Sequence, residues 1–175
     1  MLESGMGLAY FALLAALCVG FALYETGYGV CATVLESFGK RLATFVVSLA
    51  AFTGASWMID SSLIQNAPTL VLNLALLTVL THIVTSMTRC LRYSSIIAAI
   101  IGGIVYPLLM QLIDDNGLLT NSGYYDVAGS GIVHFSGAVI ALMMSVYFSK
   151  FKNWDTLSVK RPGLASLGFV MVCVS

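Results

Sequence analysis

Apolar residues in this chain come in long runs divided by short polar links. That pattern predicts helices buried all round rather than amphipathic ones. The runs cover residues 8–28, 42–58, 69–87, 95–113 and 127–148. A helix crossing the hydrocarbon core of a bilayer needs roughly 20 predominantly apolar residues, and each run approaches or reaches that length. A sixth run begins near Leu164 and continues to Ser175. The expected fold class is all-α: a polytopic transmembrane helix bundle of five full spans plus the start of a sixth. Residues 1–175 are expected to form the N-terminal part of one membrane domain.

The links carry turn chemistry. One lies around Ser37-Phe38-Gly39-Lys40 and another is Thr88-Arg89-Cys90-Leu91-Arg92-Tyr93. The link from Asp114 to Tyr125 holds Asn116-Gly117 and Asn121-Ser122-Gly123, both turn signals. Pro162 suits the first turn of the sixth helix, where its missing N–H costs nothing.

Composition narrows the class. The chain has 175 residues, of which 59% are hydrophobic and only 9% charged. A soluble domain of this size has a surface facing water and carries far more charge. An integral membrane protein with the lipid bilayer as its main partner is expected. A nucleic-acid partner is not, because the basic residues form scattered pairs rather than a face. The first run follows Met1-Leu2-Glu3, without the basic segment of a removed signal peptide.

The order of charges sets an orientation. Lys40 and Arg41 follow span one, Arg89 and Arg92 follow span three, and Lys150, Lys152, Lys160 and Arg161 follow span five. These are all eight basic residues. Asp60, Asp114, Asp115 and Asp126 occupy the alternate links. The positive-inside rule then places the N-terminus outside.

Candidate chemistry is sparse. Asp126 opens span five, where a carboxylate caps free amides and meets the positive end of the helix dipole. His134 lies about two turns further in. An imidazole at membrane depth is costly and marks either a held partner or a working site. It can bond a neighbouring helix, ligate a metal or handle protons beside a substrate path. No second ligand stands at helical spacing, so no metal is expected. His82 in span three has the same standing on composition alone. Glu25, near the inner end of span one, reads as a residue that caps, pairs or snorkels. Asp114 and Asp115 sit at the outer rim, solvated or steering cations. Gly102-Gly103 and Gly129, Gly131 and Gly137 mark close helix approach. The four cysteines, Cys18, Cys31, Cys90 and Cys173, show no C-x-x-C spacing and read as buried free thiols. No cofactor loop and no nucleophile with a base is present, so an enzyme is not expected.

Asp126-x-Ala128-Gly129-x-x-x-Val133-His134-x-Ser136-Gly137 resembles the fifth-span signature of the ammonium transporter (Amt/Mep/Rh) family. Gly20-Phe21-Ala22-Leu23-x-Glu25-x-Gly27 resembles its first span, and Leu91-Arg92-Tyr93-Ser94 its link between spans three and four. Gly117-Leu118-Leu119 ahead of Gly123 matches the approach to span five. The resemblance implies eleven spans and a homo-oligomer, usually a trimer, with one narrow pore in each subunit. It implies ammonium recruited at an outer aromatic site by cation–π attraction. Ammonia then passes phenylalanine gates and two facing histidines, of which His134 corresponds to the first. Asp126 corresponds to the acid that shapes the pore entrance and holds the helix.

Aligned on these motifs, the chain departs from the pattern. Ala75 and Val79 stand where the family has its outer phenylalanines, and Asp114 where it has its recruiting tryptophan. His82 falls one turn inward of Val79, in reach of the same path. The expected function is ammonium or ammonia transport through a pore lined by His134, His82, Val79 and Ala75, with Asp126 and Asp114 at its entrance. The alternatives are a non-conducting structural subunit of a larger membrane complex and an ammonium sensor.

Overall fold

A computed structural model describes residues 2–59, 67–86, 88, 91–113, 117–126, 130–149 and 159–174. All regular structure among them is helical. The elements are α1 (Leu2–Gly27), α2 (Val34–Ile59), α3 (Ala67–Thr85), α4 (Leu91–Ile100), a π-helical segment (Ile101–Val105), α5 (Tyr106–Ile113), α6 (Leu118–Asn121), α7 (Ser130–Ser149) and α8 (Pro162–Val174). Among the described residues, Val34–Met58 and the stretch Arg92–Asn121 are long and apolar enough to cross a bilayer. Ala12–Gly27, Leu70–Thr85, Gly131–Tyr147 and Pro162–Cys173 are shorter apolar helices.

The first link differs from expectation. It occupies residues 28–33, so Ser37, Lys40 and Arg41 lie inside α2 rather than between helices. Two local devices set this boundary. Gly29 takes φ +67°. The amide of Val30 donates to the Glu25 carbonyl at 2.8 Å and that of Gly29 to the Thr26 carbonyl at 3.1 Å, which closes α1 in a Schellman turn. Thr33 then opens α2: its hydroxyl oxygen accepts from the Glu36 amide at 3.1 Å, while the Glu36 carboxylate reaches back to the Ala32 amide at 2.9 Å. Thr33-Val34-Leu35-Glu36 is thus a capping box that reaches one residue further back than usual.

Close approach organises the packing. α1 lies against α8 and α2, α2 against α3 and the fourth rod, and α3 against α7. At the α1–α8 crossing a Cβ on Gly27 would sit 2.4 Å from the Ala165 amide nitrogen, and one on Gly168 2.4 Å from that of Tyr24. The α1 end is sealed as well: the amides of Lys160 and Arg161 donate to the Gly27 carbonyl at 2.9 and 3.0 Å.

The fourth rod, α4 through α5, carries its π-helical turn at Ile101-Gly102-Gly103-Ile104-Val105. A Cβ on Gly102 would lie 2.1 Å from the Ser48 carbonyl oxygen of α2, so the glycine admits direct backbone contact. The extra residue of a π turn rotates the register of the helix beyond it. There Tyr106 is fully buried, edge-on to Phe52 at 5.4 Å, with its hydroxyl donating to Asn73 Oδ1 at 2.9 Å. These side chains join Leu77, Leu80, Val84, Ile132 and Val133 in one core shared by α2, α3, the fourth rod and α7.

Candidate functional site

Asp126 stands ahead of α7 and holds its first turn. Its Oδ1 accepts from the Gly131 amide at 3.0 Å and its Oδ2 from the Ile132 amide at 2.7 Å. Two of the free donors at the helix start are thereby satisfied. The Tyr124 hydroxyl approaches Oδ2 at 3.4 Å. Gly123, at φ +86°, turns the chain from α6 into this position.

His134 lies just beyond that capped turn, and its side chain is exposed. The neighbouring Val133 is fully buried in the core, and Gly137 packs on Leu80 and Ile83 of α3. Successive residues of a helix point about 100° apart. His134 is therefore carried on a face beside the α3 seam, left open by the described helices.

His82 is placed differently. It is fully buried on α3, with Nε2 3.2 Å from Cys18 Sγ and its ring edge-on to Phe21 at 5.7 Å. Val79 and Ala75, one and two turns away, are half-buried, and Val79 packs against the shared core. The structure does not bring His82 and His134 into contact through any hydrogen bond between described residues. Asp114, with Asp115, lies outside the described residues, as do Gly129 and Cys90.

A second polar centre was not legible as such. Glu25, Lys40 and Arg41 are all buried at one end of the bundle. Glu25 Oε1 accepts from Lys40 Nζ at 2.6 Å and from Arg41 Nη2 at 2.5 Å, while Ser37 donates to Oε2. One carboxylate serves two cations, and the end of α3 supplies the rest. Lys40 Nζ donates to the Thr88 carbonyl at 2.7 Å, and Arg41 Nη1 to the His82 carbonyl at 2.8 Å. The His82 carbonyl lies in the last turn of α3, at the negative end of its dipole, and the Thr88 carbonyl in the link just beyond. The Arg41 guanidinium also lies 4.8 Å over the Phe21 ring. Thr88 is hydrogen-bonded to Ser94, which ties the start of α4 to the same cluster. The expectation that Glu25 caps, pairs or snorkels is met by pairing. The basic pair, read as marking an inner link, is a buried structural element. The signal that locates it is the capping box at Thr33, which draws Lys40 and Arg41 into α2.

The polar cluster ties α1, α2 and α3 together and leaves α7 free to present other groups. Among the described residues no group of three or more His, Cys, Asp or Glu side chains could hold a metal ion.

The family model described as Ammonium Transporter Family matches residues 6–174. No curated protein and no solved structure matches the chain.

Proposed function

The chain belongs to the ammonium transporter family, and from that premise we propose that it passes ammonia or ammonium across a membrane along the face of α7 that bears His134. The family is one of membrane transporters, and the helices here are those of an integral membrane protein. The observation that carries the finer reading is the exposure of His134 on a helix whose neighbouring face is sealed against α3. An uncompensated ammonium ion in a dry conduit costs many kcal/mol of hydration, whereas neutral ammonia loses little. A neutral imidazole can accept from or donate to ammonia and can relay its proton.

In this reading His134 touches the solute. Asp126 fixes the turn that aims it, and Ala75 and Val79 line the approach without gating it. His82, held by Cys18 and Phe21, belongs with the Glu25 cluster rather than with the path. Residues 1–175 form the N-terminal part of the conducting domain, and the working unit is a homotrimer. The test is methylammonium uptake in cells lacking their own carriers. The expected result is uptake by wild type and loss to background in His134→Ala. Background uptake by wild-type protein that is shown to reach the membrane overturns the reading.

One observation favours a second reading. Ala75 and Val79 carry no aromatic ring where the resemblance expects gate phenylalanines. That suits a structural subunit that keeps the fold without conduction. Stable copurification with unrelated membrane subunits, together with background uptake, is its signature.

A further inference from the structure

An open groove of about 570 Å³ lies between α5, α6 and the first half of α7. Its walls are almost wholly apolar: Leu109, Leu119, Ile132, Phe135, Val139 and Ile140 contribute most of them. Tyr124 and Gly131 close the end nearest Asp126. Both touch that carboxylate, Gly131 through its amide and Tyr124 through its hydroxyl. The groove is thus greasy along its length and acidic at one rim.

We propose that this groove seats one acyl chain of an outer-leaflet phospholipid whose cationic amine head rests at the Asp126 rim. Three observations carry it. First, Phe135 of the groove wall belongs to an exposed apolar stripe of α7 that continues through Leu142, Met143, Val146 and Tyr147, a surface of the chemistry an acyl chain meets. Second, no Lys, Arg or His among the described residues forms an ion pair with Asp126; the ion pairs there belong to Glu25. Each Asp126 oxygen accepts one backbone amide, and a carboxylate oxygen has room for a further donor. An ammonium head supplies the missing charge. Third, Tyr125 stands 85% exposed beside this rim, and Tyr124 is exposed too. Amphipathic rings of this kind settle at headgroup level, and their faces attract ammonium groups.

The groove is separate from the face assigned to the solute. At about 100° per residue, His134 points roughly 150° away from the groove's midline on α7. The inference rests on the chain lying in a bilayer but not on conduction, so its failure and that of the transport reading are distinguishable.

The experiment uses the full-length protein, purified in mild detergent and loaded with an equal mixture of phosphatidylethanolamine and phosphatidylglycerol of identical chains. Native mass spectrometry then reads the lipid retained per protomer. The expected result is one phosphatidylethanolamine kept in preference to phosphatidylglycerol. Val139→Trp, which fills the groove from its exposed side, lowers retention about tenfold, the scale of one lost apolar contact. Asp126→Asn removes the charge and gives up one of the two cap hydrogen bonds while the apolar walls stay, so retention persists and the head preference disappears. Size-exclusion chromatography shows that each variant remains folded. Equal retention of the two heads by wild type overturns the proposal, and so does unchanged retention in Val139→Trp. A Val139→Cys protein that cross-links between protomers also overturns it, because a second copy then covers the groove.

Discussion

At the residue scale the least replaceable side chain is Glu25. It is the one carboxylate that Lys40 and Arg41 share, and all three are buried. Removing one partner of a buried ion pair leaves a charge without compensation and costs about 3–5 kcal/mol. Glu25→Gln keeps the shape but leaves two cations together. The expected outcome is a large loss of thermal stability and of membrane-inserted yield, read by a fluorescence melting assay in detergent. A melting curve close to wild type contradicts the role of Glu25 as the shared counter-charge. Asp126 contributes less. Its two backbone amides make it a cap, and Asp126→Ala is expected to cost about 1 kcal/mol, seen as a small drop in melting temperature. Cys31, in the link between α1 and α2, has its thiol pushed above the ordinary value, first by burial and then by the Glu25 carboxylate. The raised value keeps the less reactive protonated form at mildly alkaline pH, since the thiolate is the nucleophile. Maleimide labelling of Cys31 at pH 8 should therefore run several-fold slower than that of an unstructured thiol. Labelling at the unstructured rate contradicts the burial.

At the scale of elements, the bundle depends on a few positions where helices meet backbone to backbone. Gly102 in the π-helical turn is the clearest, because a side chain there runs into the Ser48 carbonyl rather than into a flexible tip. Gly102→Val must push α2 and the fourth rod apart and is expected to cost about 1–3 kcal/mol. Gly103→Ala is a fair control, since its added Cβ would meet Ala51 at an ordinary 3.5 Å. Melting temperatures that fall for the first and hold for the second support the packing; equal values contradict it. This scale also shows what was legible from sequence. The apolar runs located the described rods, because a helix that meets lipid or other helices all round is apolar on every side. Pro162 marked the start of α8 for a local reason, its tolerance at a first helical position. The α1–α2 boundary was misplaced by reading Ser37-Phe38-Gly39-Lys40 as the link between the two helices. Pairing with Glu25, twelve to sixteen residues earlier, outweighed the cost of burying Ser37, Lys40 and Arg41, and single-residue polarity carries no trace of such a partner. The π turn was equally hidden, since Gly102-Gly103 signals close approach but not an altered hydrogen-bond register.

At the scale of the molecule, two polar centres have divided roles. The Glu25 cluster binds α1, α2 and α3 and reaches α4, so it sets the shape of the frame. α7 packs on that frame through Val133 and Gly137 and carries His134 on an adjoining face that the described helices leave open. The family signature around Asp126 and His134 was readable because cap and histidine lie on one short segment. The placement of His82 was not, because its neighbours Cys18 and Phe21 come from a different helix. On the function proposed above, the His134 face borders the route of the solute. The most direct measurement is the current evoked by an ammonium pulse across reconstituted proteoliposomes, compared among wild type, His134→Ala and His82→Leu. Wild type is expected to carry a current that persists in His82→Leu and vanishes in His134→Ala. A current that survives in His134→Ala, or one lost in His82→Leu alone, contradicts it.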